Sequence, residues 1–119
     1  MHAIYKYRAP IAEKFVTNLP KGARLIRVED VDGEFFIWAM VDINEQERTW
    51  RWFECYKTGQ PIETDQQNLL SVGRFRMFIM QELMLYVFEN TDLSEKWSDL
   101  DLDDEALMDY TGFQIYRQP

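Results

Sequence analysis

The chain has 119 residues, 46% of them hydrophobic and 15% aromatic, which suits one folded domain and excludes a disordered segment. Its net charge of −8 is uneven: residues 1–91 carry 13 acidic and 11 basic side chains, and residues 92–119 carry 8 and 2. A nearly neutral body with an acidic C-terminal segment lacks the basic surface that non-specific nucleic-acid binding requires, and it suits a basic protein partner instead.

Short alternating segments between turn signals fill residues 1–90. "HAIYKYR" alternates and stops at Pro10, because proline cannot donate to a strand ladder. "EKFVTNL" is a second strand, stopped by Pro20, and "PKG" is a turn. "ARLIRVEDV" is rich in β-branched residues, and Asp32-Gly33 then gives the strongest hairpin signal in the chain. The return strand "EFFIWAMVD" is apolar on both faces, which predicts a central strand.

After the "NEQE" turn, "RTWRWFECYK" puts Trp50, Trp52, Glu54 and Tyr56 on one face and Arg51, Phe53 and Cys55 on the other. Thr58-Gly59 and Pro61 punctuate, and "IETDQQNLL" reads as a polar loop or one helical turn. "SVGRFRMFIM" sets Phe75, Met77 and Ile79 against Arg74, Arg76 and Phe78. Gly73 within it predicts a bulge or a close backbone approach. Gln81-Glu82 turns the chain into "LMLYVFEN". Beyond Asn90, Thr91 and Ser98 are candidate helix caps. Leu102, Ala106, Leu107 and Met108 could form one apolar helix edge ended by Gly112, and "FQIYR" a last strand or packed arm.

The pattern predicts an all-β fold, or a β-rich α+β one: a small antiparallel sandwich or barrel of about seven strands with a short C-terminal helix. Two parts follow: a β domain over 1–91 and an acidic segment over 92–119, carrying the short helix and the possible last strand. No run approaches the roughly 18 apolar residues of a membrane helix, and "MHAIYKYRAP" lacks a signal peptide's apolar run. The expectation is a soluble cytoplasmic protein.

"IYKYRAPI", "LPKGARLIRVE", "FIWAMVD", "YKTGQPI" and "SVGRF…LYVFE" resemble, in order and spacing, a family of short phage and prophage proteins of unknown function. In that family an opening strand leads to a "PKGA" turn, a "WALVD" strand, a "GTGHP" turn and a closing "HVFE" strand. The likeness covers residues 4–89. Gln60 stands where the family has histidine, and Tyr86 stands near its second histidine. The resemblance implies phage or prophage origin, a small β domain and no assigned activity.

Candidate chemistry is sparse. With one cysteine, Cys55, and one histidine, His2, an internal disulfide is excluded and a zinc site has too few soft ligands. "KTGQP" lacks a phosphate loop's surroundings, and Glu54 and Glu82 lie on different elements, so no acid–base pair stands out. Asp99, Asp101 and Asp103 repeat like the start of a calcium loop. Asp104 and Tyr110 then stand where that loop needs glycine and glutamate, so the match fails. No catalytic residue, metal or cofactor is expected, and the chain is read as a non-enzyme.

Three functions remain. The first is a phage-derived accessory protein that binds a host protein, inhibiting a defence or nucleic-acid enzyme. Its contacts would be the acidic residues Asp99, Asp101, Asp103, Asp104, Glu105 and Asp109, unless that face is simply solvated, and the aromatics Trp50 and Trp52 where exposed, although such rings more often fill the core of a small β domain, with no direct nucleic-acid or membrane contact. The second is a ligand- or nucleotide-binding β domain with a cleft formed by Arg74, Arg76 and Trp52. The third is a virion structural or assembly protein whose edge strands pair between copies, which allows a homo-oligomer.

Overall fold

The computed structural model describes residues 1–78, 82–99 and 112–119. Eight strands run β1 (His2–Ala9), β2 (Lys14–Pro20), β3 (Arg24–Val31), β4 (Glu34–Asp42), β5 (Arg48–Lys57), β6 (Leu69–Phe78), β7 (Glu82–Asn90) and β8 (Gln114–Tyr116). They form a three-stranded sheet, β1-β4-β3, and a five-stranded sheet, β6-β7-β5-β2-β8. The pairings are antiparallel except β2–β8, which is parallel. This is the expected strand-rich sandwich, with neither sheet closed into a barrel.

The turn chemistry acts where the residues indicate. Asp32 and Gly33 both take positive φ, 54° and 85°, and the strands they join pair in register from Val31 and Glu34. Gly73 does both things expected of it. The β6–β7 register shifts between Ser71 and Gly73, and a side chain at Gly73 would meet Val28 Cγ2 at 3.2 Å. Its φ of 153° suits glycine, and the missing side chain lets β6 lie against β3 where the two sheets meet. The polar stretch after β5 contains a 3-10 turn at Gln66–Asn68, capped by Asp65, and β6 starts at Leu69.

Between the sheets lies an apolar core. Phe15 stacks on Phe53 at 4.9 Å and meets Phe35 edge-on at 6.0 Å, and Phe35 stacks on Phe75 at 4.5 Å. This chain of rings crosses from one sheet to the other, with Leu19, Ile37, Ala39, Val41 and Val87 buried around it. β4 is central, as expected, but only in its pairing. Phe35, Ile37, Ala39 and Val41 face the core, while Phe36, Trp38 and Met40 alternate to the outside.

The five-stranded sheet is covered on its other face as well. Helix α1 (Thr91–Lys96) packs on β5 and β7, and a second apolar cluster forms from Val16, Trp52 and Phe113, with Trp50, Leu93, Trp97 and Ile115 around it. The helix begins one residue earlier than its candidate caps suggest. Asn90 is the cap, accepting from Leu93 N at 3.0 Å, while Thr91 donates to Asn68 O. The helix that Ser98 would cap lies outside the described residues, and Ser98 itself follows α1. Its carbonyl accepts from Trp50 N at 2.9 Å, and Ser94 Oγ accepts from Trp52 N at 2.9 Å. β7 pairs with β5 only from Phe53 onward, so α1 and the turn after it occupy two backbone donors that a strand would otherwise take. "FQIYR" returns to the body as β8 against β2. The second apolar helix edge, Leu102, Ala106, Leu107 and Met108, and the turn residue Gln81 lie outside the described residues.

Candidate functional site

The aromatic stripe of β5 is interior. Trp52 is 0% exposed, 5.3 Å from the Trp97 ring and 4.9 Å from Phe113. It is therefore corrected from a surface contact to a core residue, because α1 and the returning chain cover that face of the sheet. Its Nε1 is a buried donor without a partner among the described residues. Trp50 is half-buried, with the Arg117 guanidinium 5.2 Å from its ring centre.

Next to Trp52, Glu54 is 1% exposed and fully engaged. It accepts from Tyr56 Oη, from Thr64 Oγ1 at 2.6 Å and from Asn90 Nδ2 at 2.7 Å. The same Asn90 side chain caps α1 through its oxygen, so the carboxylate ties β5, the 61–65 loop and the helix start together. Burial and the bond to Glu54 push the Tyr56 phenol up to about 12. Across the strand, burial pushes the Cys55 thiol up to about 12, so it is a protonated, buried thiol rather than a nucleophile at neutral pH. At the end of the core, Arg51 forms a two-pronged pair with Glu89 and donates to Ala23 O at 2.8 Å. These polar groups are spent on one another, which is the signature of structure-holding networks.

Arg74 and Arg76 are both exposed on β6 and, with Arg27, Glu29 and Asp30, line a shallow groove of about 370 Å³. The structure brings the two arginines together but not with Trp52, which lies in the cluster beneath α1, so the cleft expected from all three does not form. Arg76 pairs with Glu82 at 3.0 Å and Arg27 with Glu29 at 3.1 Å. The Tyr86 phenol is pulled down by a bond to Thr58 and by the adjacent Arg74. The groove is thus an ionic seam whose cations already face anions or rings.

Of the acidic residues, Asp99 is exposed in the turn after α1. Asp101, Asp103, Asp104, Glu105 and Asp109 lie outside the described residues. Among the described residues, no group of three or more His, Cys, Asp or Glu side chains could hold a metal ion.

The surface that sequence reasoning missed is the outer face of the three-stranded sheet. Register places Ile4, Lys6 and Arg8 of β1 beside Met40, Trp38 and Phe36 of β4, and places Arg24, Arg27 and Glu29 of β3 on their other side. The centre is an apolar stripe, flanked by cations. Lys6 Nζ stands 4.8 Å from the Phe36 ring centre, and the Arg27 guanidinium 4.7 Å from that of Trp38. Ile4 is 57% exposed, and Ile26, in the β3 bulge, 41%. The described α-helix lies on the other sheet, so no described helix covers this stripe. The signal was present in "EFFIWAMVD". A strand apolar on both faces is either buried on both or sticky on one, and alternation alone does not separate the two.

Fold and surface together define a small two-sheet β domain whose buried polar groups bond to one another and whose three-stranded sheet carries an aromatic–cationic outer face. The chain belongs to the DUF7352 family, a domain of unknown function, whose match spans residues 1–98 and so takes in seven strands and α1. No curated protein and no solved structure matches it. No described helix is long and apolar enough to cross a membrane.

Proposed function

We propose that the chain is a non-enzymatic, phage-derived accessory protein that binds a host protein in the host cytoplasm, with the outer face of the three-stranded sheet as its main contact. The observation that carries this reading is the uncovered stripe of Phe36, Trp38 and Met40, extended by exposed Ile4 and Ile26 and rimmed by Lys6 and Arg27. Half-exposed aromatics, one of them under a guanidinium and one under an ammonium group, have the composition of hot spots at protein interfaces. The non-enzymatic part is supported by a buried carboxylate with every partner taken and a thiol held protonated. The phage origin is supported by the likeness of residues 4–89 to phage and prophage proteins.

The acidic segment then acts as a second element. With six of the chain's eight net negative charges, it complements a basic surface of the partner, such as the nucleic-acid groove of a defence enzyme. Affinity capture from host lysate with mass spectrometry, run in parallel with Trp38→Ala, Arg27→Glu and an Asp99, Asp101, Asp103, Asp104, Glu105 neutralised variant, tests both elements. The expected result is a partner lost with the two sheet-face variants and weakened by neutralisation in a salt-dependent way. A partner retained by Trp38→Ala and Arg27→Glu overturns the sheet face as the contact.

A further inference from the structure

The sandwich is closed along one side and open along the other. On the closed side β6 lies against β3, with Gly73 beside Val28. On the open side β1 is an edge strand of its sheet, and the three-residue β8 is the corresponding edge of the other. The register of β1 shows which of its backbone groups are open. Ile43 N donates to Met1 O at 3.1 Å, so Met1–Ile43 is a hydrogen-bonded pair, and by alternation so are Ala3–Val41, Tyr5–Ala39 and Tyr7–Ile37. His2, Ile4, Lys6 and Arg8 therefore turn their N–H and C=O groups away from β4, to an edge that no other strand pairs with among the described residues.

That edge already accepts a donor. Gln118 Nε2 donates to Arg8 O at 2.6 Å and is held by Thr17 Oγ1 at 3.1 Å, while Gln118 N donates to Asn18 Oδ1 at 2.6 Å. One side-chain amide stands where a strand's N–H would stand. Next to it, two adjoining clefts of about 480 and 500 Å³ run beside β1 and share Lys6, Tyr7 and Arg48. Arg8 joins the lining at the Gln118 end, and Asp42 and Glu45 at the other, so the groove is polarised, with its cations beside the open backbone groups of Lys6 and Arg8.

We propose that this groove binds an extended, acidic segment of a protein partner, which adds to the free edge of β1 as a further strand. This rests on the protein-binding reading above and supplies its mode of contact. The main chain of the added segment bonds to Ile4 and Lys6. Side chains on one face continue the outer surface beside Ile4 and Lys6, and those on the other enter the clefts beside Tyr7 and Arg48. Charge selects the occupant. Lys6 and Arg48 give the groove a cationic stretch on a chain of net charge −8, with Arg8 beside them paired to Glu34 at 2.8 Å, so acidic residues at that level are attracted, while a second copy pairing β1 with β1 would bring cations near their own counterparts.

The test is a displayed library of random peptides selected on the full-length protein, followed by affinity measurements on the enriched sequences. Selected peptides should be acidic and free of proline at alternate positions. Binding should protect the Ile4 and Lys6 amides from hydrogen exchange, while those of Ala3 and Tyr5 stay protected with or without peptide. Ile4→Pro removes an edge donor that makes no bond to β4, and about a tenfold or greater loss of affinity is expected with unchanged circular dichroism. Lys6→Glu should weaken binding at low salt and little at high salt. Neutral or basic peptides in place of acidic ones overturn the inference, as do protection at other amides, equal affinity for Ile4→Pro, or Ile4 and Lys6 protection that rises with protein concentration alone. A host partner that needs Trp38 yet binds Ile4→Pro normally leaves the protein-binding reading standing and removes only this mode.

Discussion

The two sheets have outer faces of similar composition and opposite fate. β5 sends out Trp50, Trp52, Glu54 and Tyr56, and β4 sends out Phe36, Trp38 and Met40. In the first set Trp52 is buried and Trp50 half-buried under α1 and the chain returning through Phe113, with Glu54 and Tyr56 buried beside Thr64, whereas the second set is half-exposed, with Lys6 and Arg27 over two of its rings. Aromatic content does not decide which face is core. Coverage does, and coverage comes from segments distant in sequence: residues 91–98 and 113–118 close one face and leave the other. The contrast gives the covered face a structural role and leaves the other as the proposed contact surface, and it can be attacked residue by residue.

The largest effect is expected at Trp52. Trp52→Ala empties the centre of the covered face and should cost about 3–5 kcal/mol, read as a lower urea midpoint at unchanged slope. Trp52→Phe keeps most of the packing and removes an indole donor that has no partner among the described residues, so it should cost far less.

Glu54 comes second. Glu54→Ala strands the buried donors of Tyr56, Thr64 and Asn90 and frees the side chain that caps α1. A loss of about 1–3 kcal/mol is expected by denaturant unfolding. Glu54→Gln offers only one carbonyl oxygen and sets its own amide against the amide of Asn90. It should also destabilise, with earlier hydrogen exchange in α1 as the specific sign.

A smaller effect separates the interior from the surface by pH. Cys55 and Tyr56 are each raised to about 12 from ordinary values of 9.0 and 10.0. A raised value means that the folded chain holds the proton more tightly than the unfolded one. The stability this provides is complete below about pH 9 and is lost as pH climbs toward about 12. Urea midpoints should therefore fall across that window, and less steeply for Cys55→Ala and Tyr56→Phe. The Cys55 thiol should also resist thiol reagents at pH 8 until the protein unfolds.

Much of the fold was legible because it rests on local chemistry. Asp32-Gly33, Pro10, Pro20 and Gly73 mark turns, stops and a bulge through constraints that each residue imposes on its own backbone. Alternation named the strands and paired Trp52 with Glu54 and Tyr56 on one face. It did not say that this face is interior, because the covering residues Leu93, Trp97 and Phe113 are remote from β5 in sequence. Asn90 was missed as a cap because it ends a strand while starting a helix, and its orientation is set by Glu54. The arginines were read as a ligand cleft from proximity along β6. The engagement of Arg76 with Glu82 and of Arg74 with Tyr86 depends on β7 and is legible only in three dimensions.

The smallest expected effect on stability is the most informative one about function. Trp38 stands on the uncovered face with Arg27 across its ring, and removing it opens no internal cavity. Trp38→Ala should therefore shift the urea midpoint by about 1 kcal/mol or less, against several for Trp52→Ala. If Trp38 is a recognition residue, the same substitution should reduce partner binding at least tenfold, so that stability and binding separate between two tryptophans on neighbouring sheets. A Trp38→Ala protein as damaged as Trp52→Ala would mean that the β4 face is held by more than the two cations seen over it, and the division between a structural and a recognition face would fail. A variant stable and fully competent to bind would keep the division of stability and move recognition elsewhere, with the free edge of β1 and the acidic segment beyond α1 as the surfaces to mutate next.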